Sequence, residues 1–182
     1  GIRAQVRSGL LFTSLGVPFR TPAEGKNIAF TSLWDNYPDS LTIPLTGKAS
    51  HAYLLLAGST NHMQCHIANG VIRVHYADGT SETLELINPD NWCPIEQDFY
   101  VDGIAFCLQT PRPYRLHFKS GLVSNNLEKD LNITGVYGRS IDGGAGVLLD
   151  MLLDPHKELK SLTLETLSND VVIGIMGITL QK

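Results

Sequence analysis

The residues Val71-Ile-Arg-Val-His-Tyr-Ala-Asp-Gly-Thr-Ser-Glu-Thr-Leu-Glu-Leu-Ile87 constrain the fold more than any other stretch of the chain. Apolar side chains at Ile72, Val74 and Tyr76, and again at Leu84 and Leu86, alternate with polar ones at Arg73, His75 and Glu85. A period of two puts one set on a dry face and the other on a wet face of a strand. Asp78-Gly79 marks the reversal, and parity selects the loop. A two-residue loop of Asp78-Gly79 would set Tyr76 opposite Ser81 and Arg73 opposite Leu84, wet against dry. A three-residue loop, Ala77-Asp78-Gly79, sets Tyr76 opposite Thr80 and Ile72 opposite Leu84, and the dry sides agree. Gly79 then occupies the left-handed position after a type I turn, where the missing Cβ removes the steric cost. The stretch predicts an antiparallel sheet with one buried face.

Further strand-like runs, some alternating and some apolar throughout, follow along the chain. Strands are expected over 28–33, 40–45, 52–57, 104–108, 114–118, 147–153, 159–167 and 171–180, with a short helix as the alternative at 52–57 and 147–153. Pro44 removes a ladder donor and belongs at an edge or a strand end. Ala52-Tyr-Leu-Leu-Leu-Ala57 is apolar throughout, as in a strand covered on both faces. Val171 to Leu180 reads as a central strand, and Gly174 and Gly177 within it leave room for bulky neighbours. Residues 58–70 read as a polar loop or ragged strand, and residues 119–146 are the least regular. No amphipathic helix stands out. The fold class predicted is all-β, an antiparallel sandwich or barrel with few or no helices, formed by residues 1–182 as one domain. Gly1 is not a natural start, so the chain is read as excised from a larger multidomain protein.

Bulk properties narrow the function. A net charge of −4 and the absence of any Lys/Arg run disfavour a nucleic-acid partner, which requires a basic face. No apolar run reaches the ~18 residues that a membrane span takes. Cys65, Cys93 and Cys107 are odd in number and lack CxxC spacing, which argues against a disulfide framework while leaving room for one bridge.

Three segments resemble the galactose-binding-like jelly rolls appended to large bacterial glycoside hydrolases. One runs from Gly16-Val-Pro-Phe19 through Asn27-Ile28 and Trp34 to Leu41-Thr-Ile-Pro-Leu45, Gly47-Lys-Ala49 and Tyr53-Leu-Leu-Leu56. Another is Val74-His-Tyr-Ala-Asp-Gly79 with Leu84-Glu-Leu86 and Trp92. The last runs from Lys160-Ser-Leu-Thr-Leu-Glu165 through Val171 to Ile178-Thr179-Leu180. These are turn and core positions rather than a catalytic signature. The middle of the chain, residues 110–146, is longer than the pattern. The resemblance implies a non-catalytic accessory domain of a carbohydrate-active protein, periplasmic or extracellular. Such a domain either binds glycan weakly through end loops or packs against a neighbouring catalytic domain with no ligand of its own. It implies no cofactor, with room for one structural calcium ion held by loop oxygens.

Sugar recognition combines an aromatic face for the C–H side of a pyranose with amides, carboxylates or guanidinium groups for its hydroxyls. Trp34, Asp35, Asn36 and Tyr37 form one loop of that composition. Asn61 with His62, Trp92 with Glu96 downstream, and Tyr137 with Arg139 supply the remaining candidates. Trp34 and Trp92 serve equally well as core aromatics closing the sandwich, or as a seam to another domain.

Other chemistry finds little footing. His62, Cys65 and His66 give three zinc-type donors at most, with no second pair at finger spacing. Asp142-Gly-Gly-Ala-Gly146 precedes an expected strand rather than the helix start a phosphate loop needs. No Gly-x-Ser-x-Gly occurs, and Cys93 has no identifiable histidine partner. The neighbouring acids Asp35 and Asp39, and Glu96 and Asp98, read as solvated loop carboxylates rather than a catalytic pair. Asn132-Ile-Thr134 is a glycosylation sequon.

Overall fold

A computed structural model describes residues 1–98, 108, 111–136 and 138–182. Twelve strands follow in order among the described residues: β1 Leu10–Phe12, β2 Pro18–Arg20, β3 Ala29–Ser32, β4 Ser40–Pro44, β5 His51–Thr60, β6 Ala68–Tyr76, β7 Ser81–Ile87, β8 Tyr114–His117, β9 Val123–Ser124, β10 Ala145–Leu152, β11 Leu159–Thr166 and β12 Val171–Gln181. The only α-helix among the described residues is a single turn, α1, Leu127–Asp130.

Ten of the strands form two antiparallel sheets. One has the order β3-β12-β5-β10-β8-β9, the other β4-β11-β6-β7, while β1 and β2 make a separate hairpin. The two large sheets pack face to face as a β-sandwich. Leu54 and Leu56 of β5, Val147 and Leu149 of β10, and Ile173 of β12 meet Ile72, Val74 and Tyr76 of β6 and Leu162 and Leu164 of β11 in one buried cluster. Each such fully buried side chain contributes ~1.5–3 kcal/mol relative to exposure.

The central hairpin adopts the three-residue loop that parity selects. Ile72 pairs with Leu84 and His75 with Ser81. The Tyr76 amide donates to the Thr80 carbonyl at 2.9 Å, the Gly79 amide donates to the Tyr76 carbonyl at 3.1 Å, and Gly79 sits at φ +88°. Val74 and Tyr76 point inward, at 0% and 1% exposure. The phenol of Tyr76 accepts from the Asp154 amide at 2.8 Å, and burial pushes its pKa up. The opposite face of the small sheet is polar, with Arg73 bonded to Glu165 and the Thr42 and Thr163 hydroxyls 2.9 Å apart.

The large sheet is covered on both faces over part of its area. Leu55 of β5 and Leu116 of β8 turn away from the sandwich interior and pack with Ile2, Leu11 and Phe19. This second core explains why residues 52–57 lack alternation. Gly177 is the space that Phe19 fills, since a Cβ there would lie 2.9 Å from Phe19 Cδ1. Gly174 makes the same allowance for Ile28, whose Cδ1 would be 2.6 Å from such a Cβ. Pro44 ends β4, an edge strand.

The N-terminal hairpin β1–β2 and the short β9 depart from expectation, forming where no alternation is visible. Residues 58–70 fit the ragged-strand alternative, with β5 continuing to Thr60 and β6 starting at Ala68. The strand expected at 104–108 falls outside the described residues apart from Leu108.

Candidate functional site

The loop from Leu33 to Asp39 joins β3 to β4 and is built from short-range hydrogen bonds. The Ser32 hydroxyl donates to the Val171 carbonyl at 2.7 Å and receives the Trp34 amide at 3.3 Å, so the loop base is fixed to β12. The Tyr37 amide donates to the Trp34 carbonyl at 3.0 Å, and the Ser32 amide to the Pro38 carbonyl at 3.0 Å. Asp35 and Asn36 occupy the two central positions of this turn, where their short polar side chains suit the backbone. All four residues from Trp34 to Tyr37 are exposed. Trp34 is 49% exposed, and its ring lies 6.3 Å from that of Tyr37 at 58°. That tilt prevents a single flat platform. Tyr37 is braced edge-on by Phe30, at 6.3 Å and 80°, which leaves Trp34 as the freer stacking face.

Strand pairing brings other candidates to this end. Val172 of β12 lies between Ser32 of β3 and Ser59 of β5, so the Trp34 loop and Asn61 emerge about 10 Å apart, two strand spacings. The Asn61 side chain accepts from the Met63 amide at 2.9 Å and caps a 3₁₀ turn, His62–Gln64. His62 bonds through Nε2 to the Gln97 side chain. Glu96 is exposed and accepts from the Ser59 hydroxyl at 3.4 Å. The segment around it is held by Arg115, a buried side chain of β8 whose guanidinium donates to the carbonyls of Pro94 at 2.6 Å, Gln97 at 2.8 Å and Ala145 at 3.0 Å. Trp34, Asp35, Asn36, Tyr37, Asn61, His62 and Glu96 therefore share one end of the sandwich.

Trp92 and Arg139, expected among the ligand-binding residues, are instead buried. Trp92 is fully buried in the main core, and its Cη2 would lie 2.9 Å from a Cβ on Gly58. No face of the indole reaches solvent. Arg139 is 2% exposed and spans two loops. Its Nη2 is 2.8 Å from Asp98 Oδ2, its Nε donates to the Asp98 carbonyl at 3.0 Å, and its Nη1 donates to the Gly135 carbonyl at 2.8 Å. A buried guanidinium requires this kind of compensation, and the pairing commits it to holding the loops together. Tyr137 lies outside the described residues.

The remaining motifs also find places. Among the described residues no group of three or more His, Cys, Asp or Glu side chains converges as a metal site would need. Cys65 and Cys93 are free thiols, and burial pushes the Cys93 thiol up, which keeps it protonated. Asp98 is buried against Arg139 whereas Glu96 faces solvent. Gly143 and Gly144, at φ +90° and +74°, form a turn that enters β10.

Sequence reasoning missed a feature of the same rim. Leu33, Met63, Ile67 and Leu167 are exposed in loops at the same end of the sandwich as Trp34 and Tyr37, Met63 at 85%. Leu167 is held there by its amide bond to the Asn69 carbonyl at 2.9 Å. These residues come from three separate loops, so no local pattern announces the patch.

No protein-family model, curated protein or solved structure matches the chain.

Proposed function

We propose that this chain is a non-catalytic accessory module of a carbohydrate-active protein, a jelly roll of the galactose-binding-like kind that binds glycan weakly through the loops at one end. The observation that carries the reading is the exposed Trp34 ring, presented by a hydrogen-bonded turn with Asp35 and Asn36 beside it. Asn61, His62 and Glu96 on the adjoining strand end supply further donors and acceptors for hydroxyl groups. Tethering a substrate in this way raises its local concentration at an active site elsewhere in the parent protein.

Isothermal titration against a glycan panel tests the reading, with Trp34→Ala as the comparison. A Trp side chain carries about 250 Å² of surface, so the exposed half offers roughly 120 Å². A pyranose covering half of that removes about 60 Å², worth ~1.5 kcal/mol, or about tenfold in Kd. Trp34→Ala is expected to weaken binding by that factor without lowering Tm. Silence across the panel would overturn the assignment.

The exposed Leu33, Met63 and Leu167 favour a second reading, in which this end packs against a neighbouring catalytic domain and has no ligand of its own. Binding of the isolated neighbouring domain, weakened by Met63→Asp and indifferent to sugar, would select it.

A further inference from the structure

The outer face of the six-stranded sheet differs from that of the four-stranded sheet. The small sheet shows water a polar surface, whereas the large one shows aromatic and aliphatic side chains. The hairpin β1–β2 covers only part of this face. Phe19 sits over Gly177, and the Thr179 hydroxyl donates to the Pro18 carbonyl. Beyond the hairpin lies a groove of about 310 Å³ lined by Leu15, Val17, Tyr53, Tyr114, Leu148 and Asp150. That volume is at the lower end of the ~300–1,000 Å³ typical of small-molecule sites.

Strand register explains how these residues meet. Tyr53 lies between Thr179 of β12 and Asp150 of β10, and the next row of the same face is Gln181, His51 and Leu152. Leu148 pairs across β10 and β8 with Tyr114, which is 43% exposed. The floor is rigid. The Tyr53 ring lies parallel to that of His51, 5.7 Å apart at 6°, and its hydroxyl donates to Gln181 Oε1 at 2.8 Å. His51 Nδ1 is 2.7 Å from Asp150 Oδ1. These bonds use one polar atom of each partner. Asp150 Oδ2, His51 Nε2, the Gln181 amide nitrogen and the Tyr114 hydroxyl make no hydrogen bond among the described residues.

We infer that this groove is a second saccharide-binding site, in which a pyranose unit lies against Tyr114 and Tyr53 and its hydroxyls bond Asp150, His51 and Gln181. A fixed aromatic floor suits the C–H face of the ring. A carboxylate, an imidazole nitrogen and a carboxamide at one edge suit the alternating donors and acceptors of a polyol. An apolar protein segment would leave that polar edge unpaired, at a desolvation cost. Pre-set side chains reduce the ordering that binding requires. The inference rests on the reading of the chain as a glycan-binding module, but it places a site on the sheet face, away from the Trp34 loop.

The test is a two-dimensional amide NMR titration of the 182-residue protein with cellotetraose, xylotetraose, mannotetraose and β-1,4-galactotetraose, repeated on Tyr114→Ala, Asp150→Asn and Trp34→Ala. The expected result is saturable shifts at Tyr53, Tyr114 and Asp150 with at least one sugar. Tyr114→Ala should weaken that event about tenfold and Trp34→Ala should leave it unchanged. Asp150→Asn, isosteric and on the surface, keeps the test valid if the tyrosine variant folds poorly. Shifts confined to residues 33–38 and 61–62 would overturn the groove while leaving the end-loop reading intact. Shifts in the groove alone would support it and move the function away from Trp34. No shift with any sugar, or groove shifts indifferent to both Tyr114→Ala and Asp150→Asn, would overturn it.

Discussion

Replacing Gly177 by alanine probes the link between the N-terminal hairpin and the sandwich. A Cβ at this position would stand 2.9, 3.1 and 3.3 Å from Cδ1, Cβ and Cγ of Phe19, and no backbone atom is among these close neighbours. Phe19 is itself fully buried between Leu55, Leu116 and Leu11. It cannot swing into solvent, so the ring and β2 must rise by several tenths of an ångström. Overpacking of this kind costs ~1–3 kcal/mol. Restricting the unfolded chain returns ~0.4–1 kcal/mol. The net is a destabilisation of about 1–2 kcal/mol, or roughly 2–8 °C in Tm for a chain of this size. Differential scanning calorimetry of Gly177→Ala, Phe19→Leu and the double variant reads it. Phe19→Leu alone should destabilise, but it trims the ring that the new methyl meets, so the double variant should be more stable than the sum of the two single changes predicts. Strict additivity, or a neutral Gly177→Ala, would refute the view that Phe19 seals the outer face at this point.

Tyr76→Phe keeps the ring in the core but removes the acceptor of the Asp154 amide, and thermal unfolding should register a loss of about 1 kcal/mol. Asp78 accepts from the Thr80 hydroxyl at 2.6 Å and the Thr80 amide at 2.9 Å, and these bonds, the hydroxyl's foremost, hold its carboxyl below the ordinary value of 3.8. A group lowered on folding stabilises above its unfolded pKa, and the contribution is lost as pH falls through the folded one. The Tm gap between wild type and Asp78→Ala should therefore be constant at neutral pH and close below about pH 4; a gap that widens in acid would contradict the assignment.

The hairpin was legible because two flanking strands carry the same period and only one loop length keeps both faces consistent. Gly174 and Gly177 announced space, but the sequence could not say that Ile28 and Phe19 fill it. The strands β1 and β2 are three residues long, too short for alternation to register, and their stability comes from packing on Leu55 and Leu116. Trp92 looked like a rim residue because Asn91 precedes it and Pro94 follows shortly after. The Asn91 side chain instead turns the chain, accepting from the Ile87 amide and donating to the Glu85 carbonyl, each at 2.8 Å, and the indole enters the core beneath Gly58. Arg139 followed the same course, since its polar loop setting gave no hint of Asp98 as a buried partner. Tyr53, Tyr114 and Asp150 meet only through the register of β5, β10 and β8, which no local pattern encodes.

The chain holds two tryptophans, one sealed in the core and one half exposed on the end loop. Collisional quenching of the unmodified protein by iodide therefore reports Trp34 alone. The account predicts a single quenchable component that a binding glycan protects as it saturates the protein. Quenching unchanged under saturation by a sugar that calorimetry shows to bind would contradict the end-loop site directly.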